Sequence, residues 1–278
     1  VDPLFFRGGD IGKLAVCGTV NDIATCGARP LFLSAAFVIE EGFRIQKLER
    51  ILRSMKEASE EADVAVVTAD TKVVERGACD GLFINTSGVG VVPLGVDISS
   101  CRARPGDAVL VSGPIGEHGV AIISEREGIS FETEVRSDCA PLGKMVSEIL
   151  AAGLRPHAMR DPTRGGLATT LNEIASASNV EIELEEELLP VTDAVRNACD
   201  LLGFDPLYVA NEGKLVAFVP GSEVDRTLEV MKASKYGRSA TRIGRVTSAG
   251  KASVFMRTRI GGRRFVDMLV GEQFPRIC

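Results

Sequence analysis

The sequence predicts a two-domain protein, with an N-terminal α+β half over residues 1–100, a C-terminal α/β half over 101–270 and a flexible tail over 271–278. The chain has 278 residues, room for two domains at roughly 100 to 200 residues each. Hydrophobic residues make up 45% of it but aromatics only 5%, with no Trp, a balance suited to Val, Ile, Leu and Ala packing between helices and sheets. Helix and strand patterns also run up to a short, charged, turn-forming stretch, Arg102-Ala103-Arg104-Pro105-Gly106-Asp107, which reads as the boundary.

The opening Val1-Asp2-Pro3-Leu4-Phe5-Phe6 is apolar, extended and without an initiator Met, and it reads as the middle of a longer polypeptide. Gly8-Gly9-Asp10 followed by Ile11, Leu14, Ala15 and Gly18 predicts a helix capped by Asp10 and stopped at Gly27. Asn21 and Asp22 fall inside that helix among Val, Ile, Ala, Thr and Cys. Asp22 is either a helix-surface charge or a metal or phosphate ligand, since a carboxylate buried without a partner is costly. Residues 31–39 read as a buried strand. Ile45, Leu48, Ile51, Leu52, Met55, Ala58 and Ala62 then mark the core face of an amphipathic helix. A β-branched strand from Asp63 is expected to end at Asp70-Thr71-Lys72, presenting an oxygen ligand, a hydroxyl and a cation from a strand end. With a further strand over 82–92, the order places helices on one face of a sheet.

Beyond the boundary, a strand over 108–111 feeds the glycine-rich Gly113-Pro114-Ile115-Gly116-Glu117-His118-Gly119, whose spacing is neither a P-loop nor a dinucleotide fingerprint. His118 there is either a structural residue or a catalyst. A helix is expected over 138–152. Arg160-Asp161-Pro162-Thr163-Arg164-Gly165-Gly166 opens another, as an ion-paired cap or as a site for phosphate at the helix N-terminus. A strand over 180–184 and a helix over 191–202 follow. Asn211-Glu212-Gly213-Lys214 reads as a hairpin turn, with Glu212 and Lys214 either solvated or aimed at a site. Val224, Leu228 and Met231 mark a last helix, and strands near 240–246, 253–258 and 264–269 complete the globular part.

A net charge of −6 without a basic block argues against nucleic acid as the main partner. No apolar run approaches the roughly 20 residues that span a bilayer, and no secretory signal opens the chain, so a cytoplasmic protein is expected. Seven scattered cysteines without C-x-x-C argue against a disulfide framework or a structural zinc, and two histidines against a histidine-rich metal site. Cys278 is the last residue, so its thiol is either incidental or the tip of a reactive arm.

GGDIGKLAVCGTVNDIATCGA, VVTADTKVV, DPTRGG, ANEGKL and the terminal PRIC occur in that order over nearly the whole chain. Together they resemble the HypE family of hydrogenase maturation proteins. That family lies within the superfamily of aminoimidazole ribonucleotide synthetase, selenophosphate synthetase and thiamine monophosphate kinase. The resemblance implies a homodimer whose N-terminal halves complete a shared β-barrel, with ATP and Mg²⁺ between the halves near the dimer seam. It also implies a reaction. Cys278 is carbamoylated by the carbamoyltransferase HypF and dehydrated with ATP to a thiocyanate. The cyanide then passes to iron held by HypC and HypD.

Carried onto this sequence, Asp22 and Asp70 are the implied metal ligands. Asn21, Thr71, Lys72, Asp161, Thr163, Arg164 and Lys214 surround the nucleotide. Glu212 handles the thiocarbamate protons, with His118 second. Two departures accompany the match. The family's upstream glycine-rich stretch and a further Asp would precede Val1, and Ala69 stands where the family usually has Gly. The alternatives are a kinase or synthetase of the same superfamily acting on a free small molecule, or a scaffold whose tail docks a partner.

Overall fold

The computed structural model describes residues 1–129 and 134–271. Cys278 and the rest of the tail beyond Gly271 lie outside them. The chain begins with a short antiparallel pair, β1 (Phe5–Phe6) and β2 (Gly9–Asp10). Asp10 then caps α1 (Ile11–Thr25), its Oδ1 accepting the N–H groups of Gly12 and Lys13 at 2.9 and 3.1 Å. β3 (Arg29–Glu40) is the centre of a three-stranded sheet. α2 (Ile45–Ala62) crosses over to β4 (Ala65–Val74), parallel to β3, and β5 (Leu82–Val91) pairs with β3 antiparallel. Leu14, Val16, Leu33, Ile51 and Met55 close the core between α1, α2 and the sheet. The expected apolar face of α2 is only partly inside, since Ile45 and Leu52 are exposed.

β4 does not end at Asp70. Register with β3 continues through Asp70, Thr71 and Lys72 to Val74, so these three are mid-strand residues. The sheet is open, and no closed barrel forms among the described residues.

The second half is built on a seven-stranded sheet in the order β12-β11-β8-β10-β6-β9-β7. β6 (Asp107–Val111) is its most deeply buried strand and leads to α3 (Glu117–Glu127). α4 (Gly143–Ala151), β7 (Ala158–Arg160), α5 (Gly166–Ser178) and β8 (Val180–Glu185) follow. Then come α6 (Asp193–Leu202), β9 (Val216–Pro220) and α7 (Val224–Ala233). β10 (Thr241–Ala249), β11 (Ser253–Arg257) and β12 (Arg263–Phe265) finish the sheet. Side chains alternate across a strand, so Val109 and Val111 of β6 meet Leu167, Leu171 and Ile174 of α5, whereas Ala108 and Leu110 meet Met145, Ile149 and Met231 of α4 and α7. Helices thus cover both faces.

Three expectations for this half are corrected. Apart from the parallel pair of β8 and β11, its strands pair antiparallel, so it is α+β rather than α/β. The helix expected over 138–152 begins only at Gly143, because the Asp138 carboxylate and the Asn21 side chain hold residues 138–142 as a loop. Residues 209–215 are not a hairpin turn: Pro206–Tyr208 is a single 3-10 turn, and strand structure resumes only at Val216. Among the described residues no helix is long and apolar enough to cross a membrane.

Candidate functional site

A cleft of about 960 Å³ opens between the two halves. α1 forms one wall with Leu14, Gly18, Thr19 and Asp22, and β5 adds Phe83, Ile84 and Thr86. Thr19 and Thr86 share a 2.7 Å hydrogen bond, and Thr86 Oγ1 donates to the Ala15 carbonyl at 2.8 Å, which fixes strand to helix at this wall. The facing wall is the loop from β7 into α5, with Arg160, Asp161, Thr163 and Arg164, together with Tyr208 and Glu212. Leu269 and Gly271 border the same cleft.

Backbone geometry explains the second wall. Gly166 has φ +61, and a Cβ there would stand 2.6 Å from the carbonyl oxygens of Leu207 and Val209, so only glycine lets this turn approach the 206–209 segment. α5 starts without a side-chain cap, which leaves first-turn N–H groups for an anion. Thr169 Oγ1, buried one turn on, has no hydrogen-bond partner among the described residues.

Three carboxyls converge on the cleft. Asp22 is solvent-exposed at the cleft wall, and the partial burial of its carboxyl there raises it, with Arg160 pulling the other way. Burial and the neighbouring Asp22 push Asp161 up to about 6 from 3.8. Glu212 is 4% exposed and is raised well above the ordinary range, first by burial and then by Asp138, Asp161, Cys17 and Asp22. Arg160 offsets part of this acidity, with Nη1 3.2 Å from Glu173 and Nε 3.9 Å from Asp161.

A stability consequence follows for Asp161. Its folded value lies above its unfolded one, so the folded state binds the proton more tightly and loses stability as pH rises from about 4 through 6. Asp161→Asn is expected to stabilise the nucleotide-free protein by about 3 kcal/mol at pH 8, the difference fading toward pH 4. Urea unfolding of parent and variant across that range is the check; a pH-independent difference would count against it.

The structure brings together Asp22, Asp161, Thr163, Arg164 and Glu212. It does not bring Asp70, Thr71 and Lys72 to the same cleft: they lie exposed on β4, and Asp70 Oδ1 accepts the Thr71 N–H at 2.8 Å. Within the chain the carboxylate facing Asp22 is therefore Asp161, not Asp70. Asn21, expected beside the nucleotide, does not line the cleft. It is 1% exposed, Nδ2 donates to the carbonyls of Ala140 and Glu212, and Oδ1 accepts the Leu142 N–H.

Lys214 sits behind the cleft, 3.3 Å from Glu117 and 3.2 Å from Asp138. Burial would lower its proton affinity, but these two carboxylates hold it above the usual lysine value. At Glu117 burial outweighs the pairing, and that carboxyl is raised. His118 is fully buried, with Nδ1 2.8 Å from Ser137 Oγ and its ring edge-on to Phe6, and it does not line the cleft.

Residues missed from the sequence are Arg160, Thr169, Tyr208 and Asp138. Arg160 adjoins Asp161 and was legible as part of that loop. Asp138 carried no signal, because its partners are 74 and 75 residues away.

Residues 1–92 match the AIR synthase related protein N-terminal domain and residues 104–257 the AIR synthase related protein C-terminal domain. Over 278 residues the chain is 57% identical to carbamoyl dehydratase HypE of Cupriavidus necator, covering 100% of this chain and 79% of that protein. The crystal structure of hydrogenase maturation protein HypE in complex with ATP superposes with a TM-score of 0.97 at 50% identity, covering 100% of this chain and 84% of that one. HypE in a HypE–HypF complex gives 0.92 at 49% identity, covering 96% and 87%. Fold, cleft and relatives agree that the chain belongs to the carbamoyl dehydratase HypE family, on the two-domain fold of the AIR synthase related proteins.

Proposed function

We propose that the cleft between the halves is where the chain dehydrates its own carbamoylated Cys278 to a thiocyanate, using ATP, to provide the cyanide ligand in [NiFe]-hydrogenase maturation. The observation that carries this is the end of the described chain: Gly271 borders the cleft, and Cys278 follows within a contour of about 23 to 25 Å.

Asp22 and Asp161 suit Mg²⁺. Both have raised proton affinity, they repel one another, and among the described residues no three His, Cys, Asp or Glu side chains form a metal site of their own. Such a pair fits a cation that completes its shell with substrate phosphates. The start of α5, Arg160, Arg164 and the unpaired Thr169 hydroxyl fit phosphate oxygens. When bound, Mg²⁺-ATP supplies the phosphoryl group that turns the thiocarbamate oxygen into a leaving group. One proton leaves the nitrogen as the oxygen takes up the phosphoryl group and the second as phosphate departs and C≡N forms, so the acceptor must pass the first to solvent before it takes the second. Glu212, whose burial raises its proton affinity, is the group that takes them.

The open sheet favours a homodimer. β4 is exposed along its length, and the register places Phe32, Phe83, Val89 and Val91, all exposed, on the sheet face turned away from the α1–α2 core, with Phe83 also lining the cleft. A second copy on this face completes the barrel and brings Asp70, Thr71 and Lys72 to the dimer seam; sedimentation velocity, giving a monomer only, would remove this part. HypF is the partner that carbamoylates Cys278, and HypC with HypD receives the cyanide. The free thiols of Cys17, Cys139 and Cys199 fit the reducing cytoplasm.

The test is mass spectrometry of the tail after incubation with the carbamoyltransferase, carbamoyl phosphate and Mg²⁺-ATP. A carbamoyl adduct followed by net loss of water is expected. A tail that binds the partner yet stays unmodified would favour docking alone.

A further inference from the structure

The segment carrying Glu212 has no helix or strand to hold it between the 3-10 turn at Pro206–Tyr208 and β9. Buried side chains hold it instead: its own Asn211 accepts the Gly116 N–H and donates to the Pro162 carbonyl, and residues from outside the segment grip Glu212 itself. Asp138 accepts the Glu212 N–H on Oδ1 at 3.0 Å and the Gly213 N–H on Oδ2 at 3.2 Å. On the other side of the same residue, Asn21 Nδ2 donates to the Glu212 carbonyl at 3.3 Å, and the Ala140 N–H reaches that carbonyl at 3.5 Å. Both polar groups of the Glu212 backbone are thus gripped, the N–H by a charged acceptor and the C=O by a side-chain amide from the other half of the molecule.

Each gripping residue is itself held. Asn21 also donates to the Ala140 carbonyl at 3.0 Å and accepts the Leu142 N–H at 2.8 Å, so its whole amide is occupied by backbone. The Asp138 side chain is 1% exposed and paired with Lys214. Fit is tight: a Cβ on Gly213 would stand 1.9 Å from the Asp138 carbonyl oxygen. Asn21 and Asp22 are neighbours on α1, and successive helical side chains diverge by about 100°. One therefore faces the cleft while the other holds the opposite wall in register with it.

We propose that Asn21 and Asp138 are positioning residues that act through Glu212, fixing its backbone from both sides and so setting where its carboxyl stands in the cleft. The inference rests on the reading of Glu212 as the group that takes protons from the thiocarbamate. Neither residue touches substrate. Loss of either lets the carboxyl drift, and misplacement of about 1 Å costs up to roughly 100-fold in rate.

The experiment uses the full chain, carbamoylated at Cys278 beforehand, and follows water loss by mass spectrometry as Mg²⁺-ATP is varied. Asn21→Ser and Asp138→Asn are expected to lower kcat by about 10- to 100-fold with KM for ATP within about twofold of the parent. Combined with Glu212→Gln, neither should slow the reaction beyond Glu212→Gln alone, because a residue acting only through Glu212 has nothing left to position. Asn21→Asp keeps the shape and the acceptor for Leu142 but loses the donors, and as a second variant should behave alike, with folding checked by thermal melting. Folded variants with parental kcat, or losses that multiply with Glu212→Gln, would overturn the inference and leave the role of Glu212 intact. Parental turnover by Glu212→Gln would overturn that role and the inference with it.

Discussion

Glu212→Gln is expected to slow water loss from carbamoylated Cys278 by about 10²- to 10⁴-fold, the range for removing a positioned proton acceptor. The amide keeps the size of the carboxyl and leaves the main-chain hydrogen bonds of residue 212 in place, so the fold and nucleotide binding should persist. What disappears is the ability to accept a proton. The pH profile gives an independent signature. Glu212 is raised well above 4.5 by burial and by Asp138, Asp161, Cys17 and Asp22 around it. A base works in its ionised form, so the parental rate should fall as pH drops through that raised value, and the variant should lose this limb. A variant that keeps both the rate and the limb would assign the proton transfer elsewhere.

Cys278→Ala should abolish both the carbamoyl adduct and thiocyanate formation, because the sulfur that carries the group is gone. ATP affinity and melting temperature should stay within error of the parent, since the cleft-lining side chains assigned to nucleotide all precede Gly271. Isothermal titration with Mg²⁺-ATP, run beside the mass-spectrometric assay, separates the two effects. Unchanged turnover on a diffusible substrate would point to a small-molecule kinase or synthetase of the superfamily.

Much of this was legible in the sequence. α1, α2, β3 and the β-branched strand before Asp70 follow from capping, periodicity and β-propensity, which act over a few residues. Asp161, Thr163 and Arg164 were equally visible, because the glycines at 165 and 166 mark the start of α5 as a phosphate approach. Cys278, singled out by position and by the motif that ends on it, lies outside the described residues.

The tertiary structure decided the rest. Asp70, Thr71 and Lys72 were expected at a strand end, but pairing with β3 carries the strand past them, and register is a property of two strands. Lys214 and His118 carried chemistry in their side chains, yet burial against Asp138, Glu117 and Ser137 sets them behind the cleft. Asn21 is set off the cleft because residues 140, 142 and 212, which hydrogen-bond its amide, meet it only after the halves close. Local sequence determined which segments are helices and strands and which residues can bear the chemistry. Contacts between residues about 70 to 190 positions apart determined which of them face the cleft, because burial and hydrogen bonding depend on neighbours that chain order does not supply.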